Sequence, residues 1–324
     1  MKENKKTIGV IFGGKSSEHD VSIKSASTVI KGLKGKKNST LYNLLCIYID
    51  KSGTWWNSKV ANSVLEQGFT LQNIESPNLT TEERFKSIIK EVKNVDIWYP
   101  VLHGPNGEDG TIQGLLTLTG KPFVGSGVLG SALGMDKLVM KALFSAANLP
   151  QVSYVYANAE DLKESETISV LLKQIETKLG YPCFVKPANL GSSVGISKAY
   201  NEDELTNGLK LAAEFDQRII IEESVRGREL ECAVIGKKEL RASTVGEIKH
   251  SSDWYDYETK YSEGLSKTLI HAPLEPKITK KIQELSLIAC KAINVYGMAR
   301  VDFFFKEETD EILINEINTL PGFT

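Results

Sequence analysis

The stretch Arg300-Val-Asp302-Phe-Phe-Phe, followed after a polar turn by Glu311-Ile-Leu-Ile-Asn-Glu316-Ile-Asn318, decides how this chain is read. Both runs alternate as strands do. Successive strand residues point to opposite faces, so Arg300 and Asp302 share one face of the first run, and Glu316 and Asn318 one face of the second. The apolar residues are expected on both sides, with Phe303, Phe305, Leu313 and Ile317 on one face and Phe304, Ile312 and Ile314 on the other. A solvated hairpin is the common explanation of such a polar face, but a strand pair buried on both sides argues against it, because buried carboxylates without a cation are costly.

Two carboxylates, a carboxamide oxygen and a guanidinium are what a Mg²⁺-triphosphate site requires. Mg²⁺ takes few protein ligands and completes its octahedron with water and phosphate oxygens. Arg300 would face the charge that develops on a transferring phosphoryl group.

At 324 residues the chain suggests two or three domains. With 41% hydrophobic and 25% charged residues and a formal net charge of −2, it reads as an ordinary globular protein without a basic footprint for nucleic acid. Small molecules or copies of itself are the expected partners. Cys46, Cys183, Cys232 and Cys290 sit singly in apolar surroundings with no CxxC spacing, as buried thiols in a reducing compartment would. The apolar run Ile8 to Phe12 is too short for a signal-peptide core or a membrane span, so a cytoplasmic location is expected.

From Thr7, a strand runs into Gly13-Gly14, a polar loop and a helix from about Val21 to Leu33. Strands at Leu41 to Ile49 and Val95 to Leu102 repeat the logic of an open parallel α/β unit. The pattern from about Asn57 to Glu91 is mixed and leaves its elements unplaced. Gly120 ends a helix, and Gly125-Ser-Gly127 marks a hinge before a long helix that holds Met135-Asp-Lys137 and ends before Pro150. Asn201-Glu-Asp-Glu204 reads as a capping box opening a helix through Phe215. Beyond Ser224 the pattern predicts a strand at Glu229 to Ile235, a Tyr- and Lys-rich loop at 253 to 264, a helix at 277 to 293, and the acidic hairpin.

A second candidate site is Phe184-Val-Lys186-Pro-Ala-Asn-Leu-Gly191-Ser192-Ser193-Val-Gly195. Glycines free backbone N–H groups to cradle phosphate oxygens, serines add hydroxyl donors and Lys186 a point charge. It lacks the Walker A ending, and an ordinary turn remains an equal reading. Ile219-Ile-Ile-Glu222-Glu223-Ser-Val225, leading to Glu229, reads by itself as a plain edge strand, although such linkers can offer backbone groups to an adenine edge and a carboxylate to ribose hydroxyls. Lys137 and Lys141 form an i, i+4 pair, most often a solvated stripe. At the front, Gly13-Gly14-Lys-Ser-Ser-Glu18-His-Asp-Val-Ser22 and His103-Gly-Pro-Asn-Gly-Glu-Asp-Gly110 both follow strands, where open α/β sheets bind ligands. Glu18 is suited to an ammonium group, and Ser22 to capping the next helix.

These two loops, with Met135-Asp-Lys137, Lys186 to Gly195, Tyr255-Asp-Tyr257-Glu-Thr-Lys260-Tyr261 and Asn315-Glu316-Ile-Asn318-Thr-Leu-Pro-Gly322-Phe-Thr, closely resemble the D-alanine:D-alanine ligases of the ATP-grasp superfamily. The resemblance spans Lys5 to Thr324. It implies an α/β fold, α+β in the ATP-binding part, arranged as a three-domain ATP-grasp architecture. An N-terminal open parallel-sheet domain at 1–126 would bind the amino acids, and subdomains at 127–223 and 224–324 would grip ATP. The family pattern continues past Thr324 into a Ser-bearing turn and a closing helix, so the last subdomain reads as shortened.

By motif position, Lys137, Lys186, Ser192, Ser193, Glu222, Glu223, Val225, Glu229 and Lys260 would hold ATP, and Asp302, Glu316 and Asn318 two Mg²⁺ ions, with Mn²⁺ as a substitute and a monovalent cation as an accessory. Glu18, Ser192, Tyr261 and Arg300 would be catalytic, and Glu18, His103, Tyr257, Lys260, Tyr261 and Gly322 would line the D-alanine subsites. The implied reaction phosphorylates one D-alanine carboxylate to an acyl phosphate, which the second amine attacks. The loop at 253 to 264 would close over it to exclude water. Tyr261 and Val194 stand where ligases for D-lactate or D-serine often differ, which favours D-alanine at the second subsite. Those ligases, a glutathione-synthetase-like enzyme and a nucleotide-binding protein without turnover are the competing readings. The resemblance also implies a homodimer, and from charge and apolar run length neither nucleic acid nor a membrane is an expected partner.

Overall fold

A computed structural model describes residues 5–70, 92–191, 194–250 and 266–323, with isolated positions between 80 and 90. It divides into two compact units, one of residues 1–132 with 319–324 and one of residues 133–318.

In the first unit, β1 (Lys6–Gly13) lies between β2 (Tyr42–Ile49) and β4 (Ile97–Val101), parallel to both, and the short β3 (Trp55–Trp56) closes the edge beyond β2. A parallel sheet covered on both faces needs near-continuous apolar strands, which is why Ile8, Val10, Ile11 and Phe12 are all buried. Helix α1 (His19–Leu33) packs Ile23, Ala26 and Ile30 on one face, joined by Ala61 and Val64 of α2 (Ser58–Gln67). On the other face lie Ile112 and Leu116 of α3 (Thr111–Leu118), beside Trp98. Helix α2 falls in the stretch whose pattern is mixed. Asn57 caps it, accepting hydrogen bonds from the Lys59 and Val60 amides at 3.0 and 3.4 Å.

Ser22 does not cap α1, which starts three residues earlier at His19. Its hydroxyl accepts from the Gly13 amide at 2.7 Å and donates to the Val101 carbonyl, tying together the carboxyl ends of β1 and β4. The conflict has a simple cause: one helical turn inside α1, Ser22 faces the sheet and not the helix end.

The long helix expected after Gly127 is two, α4 (Val128–Met135) and α5 (Lys137–Ala146). Asp136 is extended between them, and its carboxylate accepts from the Leu138 and Val139 amides at 3.1 and 3.0 Å. An aspartate satisfying the orphan amides of a new helix ends the previous one.

The second unit holds two antiparallel sheets. One has the order β5 (Tyr154–Asn158), β8 (Arg218–Glu223), β6 (Cys183–Pro187), β7 (Ser197–Ala199). Helices α6 (Ser165–Lys178) and α7 (Glu202–Ala213) cover its apolar face, where Ile175 and Leu205 meet Val185 and Ile221. Asn201 caps α7 where the spacing predicts: its Oδ1 accepts from the Glu204 amide at 3.0 Å, while the Glu204 carboxylate accepts from the Tyr200 amide at 2.9 Å, one residue before the amide that a capping box engages.

The other sheet has the order β11 (Ser266–Ile270), β10 (Arg241–His250), β9 (Arg228–Gly236), β12 (Gly297–Lys306), β13 (Glu311–Asn318). Helix α8 (Pro276–Ala292) lays Ile278, Ile282, Leu285 and Ala289 on its core face, with Met140 and Phe144 of α5 in the same cluster.

The hairpin β12–β13 corrects the expected division of its apolar residues. Phe303, Phe305, Ile312, Ile314 and Ile317 all belong to one core, opposite the face that carries Phe304 and Leu313. Register pairs Phe303 with Ile314 but Asp302 with Glu316, so Asn315 is an extra residue at a β-bulge. Simple alternation from Ile314 would send Glu316 and Asn318 into the core. The bulge returns them to the face of Arg300 and Asp302.

Candidate active site

The register sets Arg300 opposite Asn318 and Asp302 opposite Glu316. On the other neighbour, β9, Glu231 faces Asp302 and Glu229 faces Phe304. Arg300 donates from Nε and Nη2 to the two oxygens of Asp302, each at 2.6 Å, and Nε lies 3.0 Å from Glu231 Oε1. Burial works against the charge on Arg300, but Asp302, Glu231 and Glu316 outweigh it and hold the guanidinium well above its ordinary pKa. Asn318 Nδ2 donates to Asp302 Oδ2 at 2.9 Å.

The donor set is suited to a divalent cation. Asp302, Glu316 and Asn318 offer only hard oxygens, on one face of adjacent strands, with one arginine among three carboxylates. Oxygen donors of this kind suit Mg²⁺ or Mn²⁺ and not a thiolate- or imidazole-seeking metal.

The other sheet presents a cation cluster. Tyr154, Glu222 and Phe184 form a row across β5, β8 and β6, on the face opposite the core residues Val155, Ile221 and Val185. Glu222 Oε2 lies 2.5 Å from Lys186 Nζ and Oε1 lies 2.7 Å from Lys141 Nζ. Burial alone would raise the Glu222 carboxyl, but the two ammoniums pull it down to about 2. Burial likewise opposes the Lys186 charge, and Glu222, with help from Glu316 and Glu229, raises its pKa.

Lys137 and Lys141 are therefore not a solvated stripe: both are buried. Lys137 Nζ donates to the Leu190 carbonyl at 2.5 Å and its amide to the Ala188 carbonyl at 3.0 Å, which fastens α5 to the start of the glycine-rich segment. That segment is also held by Asn189, whose amide and Nδ2 both donate to Asp216 Oδ2 at 2.9 Å. Gly195 has φ +71°, and a Cβ there would stand 2.8 Å from the Phe215 ring. Glu223 ends β8, and Val225 lies in the linker before β9, which opens at Arg228 and includes Glu229.

In the first unit the two glycine loops meet. Ser16 Oγ donates to the His103 carbonyl at 2.6 Å, and the Gly104 amide donates to Glu108 Oε1 at 2.8 Å. Gly104 has φ +71°, and a Cβ there would stand 2.5 Å from Glu18 Oε2. Only glycine allows the buried Glu18 carboxylate so close to this turn.

His103 Nδ1 faces the Leu320 carbonyl at 3.1 Å, and Nε2 faces Ser25 Oγ at 3.0 Å. A carbonyl only accepts, so Nδ1 carries a proton, and Nε2 shares a hydrogen bond with Ser25 Oγ, which also accepts from the Phe323 amide at 3.2 Å. Gly322 lies in the segment that this chain of bonds fastens. A cavity of about 220 Å³ opens beside the loops, lined by Gly13, Gly14, Trp55, Leu102, His103 and Thr111 among others.

Ser192, Ser193, Tyr257, Lys260 and Tyr261 lie outside the described residues. Reasoning from sequence missed Glu231 and Ser25, and took Lys141 for a solvated residue. Lys141 did leave a signal, because it is flanked on its helix face by Met140 and Phe144, both fully buried.

An open parallel sheet followed by two antiparallel sheets, one bearing paired lysines and the other an acidic hairpin, is the ATP-grasp ligase class of fold. Solved structures agree. The VanG D-Ala:D-Ser ligase from Enterococcus faecalis matches with TM-score 0.79 and 36% identity, over 99% of this chain and 92% of that one. The D-alanine-D-alanine ligase from Coxiella burnetii matches with TM-score 0.76 and 31% identity, over 99% and 86%. Family models described as the N-terminus and the C-terminus of D-ala D-ala ligase match residues 7–126 and 143–324. A D-alanine--D-alanine ligase of Prochlorococcus marinus is 57% identical over all of this chain and 92% of its own length, and one from Synechococcus sp. is 56% identical over 98% and 90%. The chain belongs to the D-alanine:D-alanine ligase family.

Proposed function

We propose how the residues above divide the work of joining two D-alanines at the expense of ATP, the reaction of this ligase in supplying peptidoglycan precursors. The observation that supports the division most directly is the single face shared by Arg300, Asp302, Glu316 and Asn318. Arg300 faces the transferring phosphoryl group, held in line by Asp302 and Glu231. Asp302, Glu316 and Asn318 would hold Mg²⁺, which would neutralise phosphate charge when bound. Lys137 and Lys186, with Ser192, Ser193 and Lys260, meet the phosphates. Glu222 acts through the lysine it holds. Glu223, Val225 and Glu229 take the adenine and ribose end.

Glu18 takes the ammonium of the first D-alanine, with His103, Gly322, Tyr257 and Tyr261 around the subsites. His103, hydrogen-bonded at both ring nitrogens, orients the wall of the subsite. In this reading residues 1–126 form the amino-acid end. The two sheets of the second unit are the halves of the grip, divided after Glu223. Four buried free cysteines support a reducing, cytoplasmic location, and among the described residues no helix is long and apolar enough to cross a membrane. A homodimer is part of the proposal and is read by light scattering on the eluted protein.

The test is incubation with ATP, Mg²⁺ and an equal mixture of D-alanine, D-serine and D-lactate, with products identified by mass spectrometry. D-alanyl-D-alanine as the dominant product is expected. A mixed product would overturn the roles of Tyr261 and Val194 in selectivity, and ATP binding without any product would overturn the catalytic assignment.

A further inference from the structure

Lys141 is a fully buried ammonium for which the division of labour above has no task. Its neighbours on α5, Met140 and Phe144, are also fully buried, and the Tyr154 ring lies 5.6 Å from its Nζ. Burying an ammonium is unfavourable unless a carboxylate compensates it, and here the carboxylate is Glu222 at 2.7 Å. Glu222 is already within 2.5 Å of Lys186. One carboxylate thus serves two cations. Of the three, only Lys186 reaches solvent appreciably, with 15% of its side chain exposed against 1% for Lys141 and 4% for Glu222.

That asymmetry matters when a phosphate arrives. If Lys186 were the sole counter-ion of Glu222, turning its ammonium to a phosphate would strand a buried carboxylate, and the cost would cancel the new contact. With Lys141 in place Glu222 keeps a partner and stays ionised. We propose that Lys141 is a positioning residue for nucleotide binding: as the standing counter-ion of Glu222 it frees Lys186 for the phosphates of ATP. The inference rests on the reading that Lys186 meets ATP. Lys141 touches neither nucleotide nor amino acid, and its whole effect passes through Glu222.

The experiment compares Lys141→Met, Lys141→Arg and Lys186→Met with the unaltered protein. Calorimetry gives the Kd for ATP with Mg²⁺, steady-state assays give KM for each substrate and kcat, and thermal melts report folding. Lys141→Met is expected to weaken ATP binding about tenfold or more, with the D-alanine KM changed by less than about twofold. Lys141→Arg keeps a cation opposite Glu222 and is expected to recover most of that affinity. A loss of packing alone would lower the melting temperature without this split or this recovery. Wild-type ATP affinity in Lys141→Met overturns the proposal, as does a folded Lys141→Arg that binds no better than Lys141→Met.

Should Lys141→Met not fold, Lys141→Gln, which removes the charge but keeps a polar end for Glu222, decides. A loss of ATP affinity of about tenfold supports the proposal, and affinity within about twofold of wild type overturns it. Unchanged affinity in Lys186→Met would instead remove the ATP role of Lys186, and the proposal with it.

Discussion

The two charged clusters of the second unit are built from similar strands yet are opposite in kind. Around Glu222, two ammoniums share one buried carboxylate in the middle of the row Tyr154, Glu222, Phe184. On the β12–β13 face, one guanidinium lies among Glu231, Asp302 and Glu316, and Arg300 keeps 28% of its side chain exposed. The first cluster carries surplus positive charge, which suits phosphate, and the second surplus negative charge, which suits a cation. The difference in depth teaches more. A charge that is buried and paired is part of what keeps the chain folded, whereas a charge at an open face can be lost with little effect on the fold and a large one on chemistry.

The comparison breaks most visibly at the register of β13. Deleting Ile317 moves Asn318 one place along the strand, off the face of Arg300 and into the core position opposite Val301. Mg²⁺-dependent ATP binding and much of the stability should vanish together, as calorimetry and a thermal melt would show. Retention of both would mean that the register is not what aligns the site. Arg300→Ala or Glu316→Gln should separate the two properties, lowering kcat about 10²- to 10³-fold with circular dichroism unchanged. Near-normal turnover in either variant would refute the roles given to this face.

Acid sharpens the contrast. The Glu222 carboxyl titrates at about 2 when folded against 4.5 for the ordinary group. A depressed folded pKa means stabilisation that is complete above the unfolded value and lost as pH falls toward the folded one. This carboxylate should contribute about 3 kcal/mol at neutral pH, vanishing between about pH 5 and pH 2. Urea unfolding of wild type and Glu222→Gln should therefore converge on acidification; a constant difference would argue against the ion pairs as its source. The smallest effect is expected from Lys306→Ala, which breaks the exposed Lys306–Glu311 pair at the far end of the same hairpin. Less than about 1 kcal/mol and unchanged turnover would show that charge on this face matters only at its Arg300 end.

Much of the fold was legible because it follows local periods. The three parallel strands of the first unit, helix α8 and both hairpin strands lie within a few residues of where alternation and helical spacing put them. The misreadings share one cause: each depends on a partner far along the chain. Asn315 looks like any strand residue until β12 is beside it. Ser22 looks like a cap until the Val101 carbonyl arrives to accept its proton. Lys141 looks solvated until β8 brings Glu222. Asp136 is different, since a capping aspartate before an apolar run is itself a local signal for a helix break.

By itself, the sequence determined the chemistry on offer: which oxygens, ammoniums and glycines exist, in what order, and which alternate onto a common strand face. Side-chain period is a property of a few adjacent residues, so it survives without the fold. Tertiary structure alone decided the bulge that turns Glu316 and Asn318 toward Arg300. It also decided the sharing of Glu222 between two lysines, and the hydrogen bonds of His103 to Leu320 and Ser25. Burial, register and proton position depend on groups brought together from distant parts of the chain, and on the water that their meeting excludes.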